Sequence, residues 1–425
     1  MKNYFFIDLM IPKIKIFKNK FGNPKFSYVS IVVLTGSILE KKREKGISHF
    51  IEHLIFKGSQ YNENIKILNN KINSKGMSIN AYTSQFITCF YINTPTVYIE
   101  QAIEALIQIV FNPYFRENDI ENERKVVVNE LLEKANSPEH LASIHAQKII
   151  YTNDNPLHNP VIGYIKDLAK INRDNIIEYY NSYYQPKNII FFTSSSDNKN
   201  KIEKYWIKLY KKYGDIGKKY IETESTLKIF NEIKPLLEIT GKPGLYKLTK
   251  YFPKNTSTYV LMNFVIPNLS KKEIFELDIF SNYLAGSLSS KLFLELREKK
   301  QLIYGINSSV STGIGITNFS IEFNCKKNKK VLNECLNSIK NVFNNFFKEG
   351  IPLKEFKKFK NKTLIEYDKV KNSGLYKINS YLDKYIFDIS STNYQSIIKK
   401  ITHSYFHSSI KKIFMKKPKK FIFIA

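Results

Sequence analysis

The sequence has 425 residues, 43% of them hydrophobic, which is enough for two domains with separate cores. The net charge of +28 comes from basic residues scattered in small groups, a pattern typical of a solvated surface rather than of a dense nucleic-acid-binding arm. Three cysteines without paired spacing exclude a disulfide scaffold, and no run reaches the ~18 apolar residues that a membrane-spanning helix needs.

The first half of the chain alternates strand-like and helix-like segments. A β-hairpin is predicted over residues 12–40, with a turn at 22–24 and a buried, Val- and Ile-rich strand from Tyr28 to Leu34. A helix is predicted from about Ser48 to Phe56, with Ser48 as its capping residue. The later predicted elements are a strand at 86–92, helices at 97–111, 119–135 and 167–184, a strand at 188–193 and a helix at 200–212.

The periodicity weakens over residues 214–240, which we interpret as a linker between a first domain at 1–213 and a second domain at 241–425. The second half then begins a new series of elements. These are a strand at 258–266, a helix at 271–284, strands at 304–310 and 317–324, helices at 329–347 and 353–370, and a strand at 421–425. Because both halves run from strands through helices in the same order, we predict an α+β fold of two similar domains, each a mostly antiparallel mixed sheet flanked by helices.

The strongest chemical signal is the motif His49-x-x-Glu52-His53. On a helix, His49 and His53 are i and i+4, so they share one face and can bind the same metal ion, most naturally zinc. Glu52 lies on nearly the same face, where it can act as the general base for a metal-bound water. Chance would produce this motif roughly 0.01 times in a chain of this composition, so its specificity is high.

A catalytic zinc site needs a third protein ligand. Glu123 and Glu130 lie seven residues apart in the predicted helix at 119–135, which places them on one face, two turns apart. One of them could bind the ion while the other supports the ligands through a hydrogen bond. Glu133 is also near that face and is the competing candidate.

These residues lie in a longer pattern. It reads Gly46-x-x-His49-Phe50-x-Glu52-His53-x-x-Phe56-Lys57-Gly58. The pattern resembles the inverted zinc motif of the pitrilysin/insulinase family of metallopeptidases, in the two-domain type similar to the mitochondrial processing peptidase and its bacterial relatives. The resemblance implies one Zn²⁺ per catalytic site, bound in the first domain by His49, His53 and Glu130. It also implies that Glu52 is the base and that Glu123 supports the site without binding the metal.

The segment Asn80-Ala81-Tyr82-Thr83 extends the resemblance. It is similar to the exposed edge strand that lies beside the zinc in this family. The resemblance implies that an extended substrate adds to this edge as a further strand, with Asn80, Ala81 and Thr83 as its contacts. An ordinary buried strand is the alternative interpretation.

Residues 289–304, in the second domain, resemble the family's Arg/Tyr segment. The resemblance implies that Arg297 and Tyr304 donate hydrogen bonds to the substrate near the scissile carbonyl, where they can stabilise an oxyanion. The chain departs from the family pattern at Gln301 and Ala285, where glycines are usual. These departures affect the turn but leave both donors in place.

The resemblance therefore implies a zinc endopeptidase that cleaves peptides or unfolded segments by attack of a metal-bound water. It implies a homodimer, or a heterodimer with a related subunit, in which Arg297 and Tyr304 serve the other subunit's site. No nucleic-acid partner is expected. The apolar start of the chain is broken by Asp8, so no signal peptide is predicted, and the expected location is the cytoplasm of a bacterium or the mitochondrial matrix of a eukaryote.

Two other functions remain open. A non-catalytic scaffold subunit of a heterodimeric processing peptidase would share the fold, but the full set of ligands and the Arg/Tyr pair count against it. A basic nucleic-acid-binding protein is suggested by the charge alone.

Overall fold

The computed structural model describes most of the chain. The described residues are 10–18, 25–61, 65–151, 155–214, 220–221, 224, 226–233, 241–248, 256–313, 316–371, 373–387, 393–416 and 418–425. The start of the chain, the predicted turn at 22–24 and much of the predicted linker at 214–240 lie outside them. The chain divides into two compact units. The first comprises Met1–Glu133, Asp154–Glu238 and Asn372–Ile389, and the second comprises Lys134–Asn153, Ile239–Lys371 and Ser390–Ala425.

The first half of the chain contains five strands and nine α-helices among its described residues. The strands are β1 (Lys13–Lys18), β2 (Phe26–Val33), β3 (Ser78–Thr83), β4 (Thr88–Pro95) and β5 (Ile189–Ser195). The helices are α1 (Ile47–Ile55), α2 (Ile65–Asn73), α3 (Ile99–Phe111), α4 (Glu117–Ala135), α5 (Pro138–Ile150), α6 (Ile165–Leu168), α7 (Arg173–Tyr183), α8 (Lys199–Tyr213) and α9 (Thr226–Ile233). The single helix predicted at 167–184 is thus two helices, α6 and α7.

The second half repeats this pattern. Its strands are β6 (Gly244–Lys247), β7 (Ser257–Pro267), β8 (Ile303–Gly313), β9 (Ile316–Lys326) and β10 (Lys419–Ile424). Its helices are α10 (Lys271–Ala285), α11 (Lys291–Phe293), α12 (Lys329–Glu349), α13 (Leu353–Val370), α14 (Gly374–Phe387), α15 (Tyr394–Lys400) and α16 (His403–Met415). A π-helical turn, Leu294–Lys299, follows α11 directly.

Each unit contains one five-stranded sheet, and the two sheets have the same strand order. The order is β1-β5-β2-β4-β3 in the first sheet and β6-β10-β7-β9-β8 in the second. The outer pairs β1–β5 and β6–β10 are parallel, and the other neighbours are antiparallel. With helices packed against both sheets, this arrangement confirms the predicted α+β fold.

The β-hairpin predicted over residues 12–40 is wrong, because β5 lies between β1 and β2. β1 runs parallel to β5, with Lys13 opposite Ile190, whereas β2 runs antiparallel to β5, with Tyr28 opposite Ser194. All seven residues of β5 are buried, while the residues of β1 are partly or fully exposed. A strand that is buried on both faces belongs inside a sheet. β5 therefore lies between β1 and β2, although these two strands are neighbours in the sequence.

The core of the first unit fixes the position of α1. Phe50, Ile51 and Leu54 are buried on one side of this helix. The opposite side is therefore free to present polar side chains, as expected for an amphipathic helix. None of the described helices is both long and apolar enough to span a membrane.

Candidate metal centre

Helix α1 begins after a glycine whose backbone conformation disfavours any other residue. Gly46 is the N-cap residue and has a φ of 100°. A Cβ atom at this position would lie 2.7 Å from the carbonyl oxygen of Ile162. Both the positive φ and the close backbone approach require glycine, and together they fix where α1 starts.

The capping role predicted for Ser48 is wrong. Ser48 lies inside the first turn, and its hydroxyl makes a 2.8 Å hydrogen bond with the Tyr179 hydroxyl. The carboxylate of Glu40 caps the helix instead. Its Oε2 accepts from the Gly46 N–H at 2.9 Å and its Oε1 accepts from the Ser48 N–H at 3.0 Å. Two of the N–H groups that a helix start leaves unpaired are thereby satisfied from outside the helix.

Glu40 was missed by the sequence analysis. Its side chain is buried, with only 5% of the residue exposed. Burial raises the pKa of its carboxyl to about 7, against the opposing effect of the two backbone donors. The only available sequence signal was an acidic residue shortly before a helix start, which is common and carries no periodicity.

The polar side of α1 presents His49 and His53 toward Glu130 of α4. One ligand atom from each of the three residues lies within 4.8 Å of the other two. The Oε2 atom of Glu130 is 3.6 Å from His53 Nε2 and 3.9 Å from His49 Nε2. Ligands bound at about 2.1 Å around one tetrahedral zinc ion lie about 3.4 Å apart, so this set of two nitrogens and one oxygen fits zinc. Glu133, the competing candidate, is exposed and is not part of this group.

Glu123 lies behind His53. Its Oε1 is 2.9 Å from His53 Nδ1, and its other oxygen contacts the Lys57 ammonium group. Burial would raise the pKa of Glu123, but the hydrogen bonds with His53 and Lys57 outweigh it and hold the pKa below its ordinary value. A carboxylate at Nδ1 selects the tautomer with the proton there, which leaves Nε2 as the metal-binding nitrogen.

Glu52 and the edge strand β3 are adjacent. The Thr83 hydroxyl donates a hydrogen bond to Glu52 Oε2 at 2.5 Å. β3 is the last strand of its sheet, and it pairs with β4 through Asn80 opposite Tyr91 and Ala81 opposite Phe90. The first unit therefore brings the two histidines, three of the predicted carboxylates and the predicted substrate strand into one neighbourhood.

Arg297 and Tyr304 lie in the second unit and contact each other. The Arg297 guanidinium donates to the Tyr304 carbonyl, and it lies 4.6 Å from the centre of the Tyr304 ring and 5.2 Å from that of Phe293. The Tyr304 side chain is highly exposed. Gln301, the residue that replaces a usual glycine, has a φ of 53°, so the chain keeps a left-handed turn without the residue that adopts it most readily.

Comparisons with known proteins agree with this architecture. The family described as "Insulinase (Peptidase family M16)" matches residues 19–163, and "Peptidase M16 inactive domain" matches residues 170–363. A Bacillus subtilis protein named as the uncharacterized zinc protease YmxG is 28% identical over 293 residues, which are 68% of this chain and 66% of that protein. The mitochondrial-processing peptidase subunit beta of Caenorhabditis elegans is 27% identical over 50% of this chain and 47% of its own length. The matches thus span less than two thirds of the length of these curated relatives.

Solved structures share the fold over nearly the whole chain. A protease from Helicobacter pylori has a TM-score of 0.78 at 21% identity, covering 97% of this chain and 95% of that one. A peptidase M16 inactive domain from Pseudomonas fluorescens has a TM-score of 0.77 at 13% identity, covering 98% of this chain and 96% of that one. Since both successive family matches, the relatives and the fold agree with the inverted zinc motif, this chain belongs to the insulinase, or M16, family of peptidases.

Proposed function

We propose that this protein is a zinc-dependent endopeptidase that cleaves peptides or unfolded segments. The convergence of His49, His53 and Glu130 on one point beside Glu52 is the observation that carries this proposal. The names of the bacterial relatives as zinc proteases support it.

The three converging side chains would hold one zinc ion. When bound, zinc polarises a carbonyl oxygen and lowers the pKa of a water ligand to about 7. Glu123 holds His53 in the binding tautomer, and Lys57 balances the charge of Glu123. This support matters because an imidazole that can rotate loses part of its affinity for a metal.

The chain's own groups carry the proton transfer and the substrate contacts. Glu52 takes a proton from the attacking water and later gives it to the leaving amine. The Thr83 hydroxyl donates a hydrogen bond to one carboxylate oxygen of Glu52 and thereby orients the base. The edge of β3 binds the substrate backbone by adding a strand, with contacts from Asn80, Ala81 and Thr83.

The proposal includes a dimer. In it, Arg297 and Tyr304 of one subunit serve the metal centre of the other and stabilise the oxyanion. The contact between the two side chains supports a joint role, and a curated relative is named as a subunit. Sedimentation velocity of the purified chain should therefore give a dimer, or a monomer that dimerises only with a related partner chain.

A cleavage assay on the purified chain tests the function. A quenched fluorescent peptide should be cut, 1,10-phenanthroline should stop the cleavage, and added zinc should restore it. Glu52→Gln should keep about one zinc per chain but lose at least ~10³-fold in kcat, because the proton acceptor is gone. Glu133→Gln removes the same charge from an exposed position on α4 and should behave like the wild type.

Three results would decide against the proposal. Full turnover in Glu52→Gln would remove the assigned base. Zinc content near zero in the wild type, without activity, would favour the scaffold subunit. Equal loss of activity in Glu133→Gln would show that the loss in Glu52→Gln follows from removing a negative charge rather than from removing the base.

A further inference from the structure

A cavity lies entirely within the second unit. Its volume is about 380 Å³, and it is bounded by α5 on one side and by β7, β8 and β9 on the other. These strands use alternate residues for their two faces, and the face toward α5 carries both apolar and polar side chains. Asn263 of β7, Asn318 and Glu322 of β9, and Ser309 of β8 all line the cavity. The apolar core of the unit takes the other face of the same strands.

Two amide oxygens in the cavity lining have no hydrogen-bond partner among the described residues. Asn263 is 4% exposed, and its side-chain oxygen has no hydrogen-bond partner among the described residues. The side-chain oxygen of Asn318 is likewise without one. A buried polar atom left unpaired costs about 1–3 kcal/mol, so two of them in one cavity indicate an external donor.

Two glutamate side chains also line the cavity. Glu322 is held in place by hydrogen bonds from the Tyr259 hydroxyl at 2.6 Å and the Asn307 amide at 3.0 Å. Glu139 of α5 lies at the exposed rim. Burial, reinforced by the charges of Glu322 and Glu139, raises the pKa of Tyr259 well above its ordinary value.

No lysine, arginine or histidine is among the described residues that line this cavity. The chain as a whole carries 66 Lys and Arg against 38 Asp and Glu, so a cavity with two glutamates and no cation departs from the rest of the molecule. An anionic ligand would meet two carboxylates without a balancing charge.

We propose that this cavity binds a cationic group, a guanidinium or a primary ammonium. Such a group supplies several N–H donors for the amide oxygens of Asn263 and Asn318. It also supplies a positive charge that balances the carboxylates of Glu322 and Glu139. It could belong to an arginine or lysine side chain of a peptide or to a small diamine. The site uses no residue of the metal centre, so it does not depend on the proposed peptidase activity.

Calorimetric titration of the full chain tests this site, with chelator present and absent. The probes are N-acetyl-argininamide, its uncharged analogue N-acetyl-citrullinamide, and putrescine. We expect the charged probes to bind at least ~10-fold more tightly than the citrulline compound, the factor for one charge-assisted hydrogen bond. Tighter binding of the arginine compound assigns the site to peptides, and tighter binding of putrescine assigns it to diamines.

Variants separate the cavity from general charge effects. Glu322→Gln should weaken the binding of the charged probes about 10-fold while retaining an acceptor for Tyr259. Asn263→Leu should weaken it as well, and it should not destabilise the fold because it removes an unpaired polar atom. Glu355→Gln, on α13 and away from the cavity, carries the same charge change and should bind like the wild type.

Some outcomes would overturn the proposal. These are equal binding of the citrulline compound, undiminished binding in both cavity variants, equal weakening in Glu355→Gln, or no binding of any probe by the wild type. Because chelator should leave the titration unchanged, a failed cleavage assay and a failed titration remain distinguishable.

Discussion

Replacing Glu40 by glutamine should remove a pH dependence from the stability of the first unit. The folded structure buries this carboxyl against the start of α1 and raises its pKa from 4.5 to about 7. Folded protein therefore retains the proton over a pH range in which the unfolded chain has lost it. The resulting stabilisation is fully present below pH 4.5 and is lost as the pH rises through 7.

The size of the effect follows from these two pKa values. Between pH 5 and pH 8, the wild type should lose about 2.5 kcal/mol of unfolding free energy through Glu40, at 1.36 kcal/mol per pKa unit. Glutamine cannot titrate, so Glu40→Gln should lack this part of the slope. It also has one carbonyl oxygen for two N–H donors, which shifts its stability by a constant amount and leaves the slope unaffected.

The single tryptophan makes this measurement specific to the first unit. Trp206 is fully buried there, so its fluorescence reports the unfolding of that unit in urea. Glu117→Gln, an exposed carboxylate in the same unit, controls for the loss of one negative charge. If the unfolding free energies of the wild type and of Glu40→Gln fall in parallel from pH 5 to pH 8, Glu40 is not the buried titrating cap described above.

Three further substitutions test the metal centre and the start of the helix that carries its histidines. Glu123→Gln should weaken zinc binding about 10-fold because His53 loses a charged partner, and chelator competition would show it; unchanged affinity would contradict the role of Glu123. Thr83→Val should lower kcat/KM about 5-fold with zinc content unchanged, since Glu52 loses a donor worth about 1 kcal/mol; a wild-type rate would mean that this hydrogen bond does not orient the base. Gly46→Ala should lower the unfolding free energy by about 2 kcal/mol, measured by Trp206 fluorescence. The alanine Cβ is strained by the positive φ and lies too close to the Ile162 carbonyl; an unchanged midpoint would show that the turn adjusts freely.

The sequence was most informative where periodicity and chemistry coincide. The apolar residues Phe50, Ile51 and Leu54 predict one buried face for α1, and the same helix then places His49 and His53 together on the other face. The family predicted from this motif and the α+β fold predicted from the order of the elements are confirmed, while the roles of the individual side chains remain predictions.

Other features depend on contacts that no local pattern encodes. Glu40 reaches α1 only because the irregular segment before the helix folds back, and a serine at the helix start was the more obvious cap. The insertion of β5 beside β2 depends on residues far along the chain. Gln301 adopts a positive φ although a polar residue there gives no sign of it.

The outer strand pairs of the two sheets also affect how the chain folds during its synthesis. Lys13 lies opposite Ile190 in the first sheet, and Gly244 lies opposite Phe421 in the second. Contacts between such distant residues form late, because the entropy of closing a long loop must first be overcome. Until β5 has been translated, β1 and β2 therefore have no strand between them. During this time the unpaired edge of β2 can pair with other nascent chains. Misassembly should be most frequent before β5 and β10 leave the ribosome.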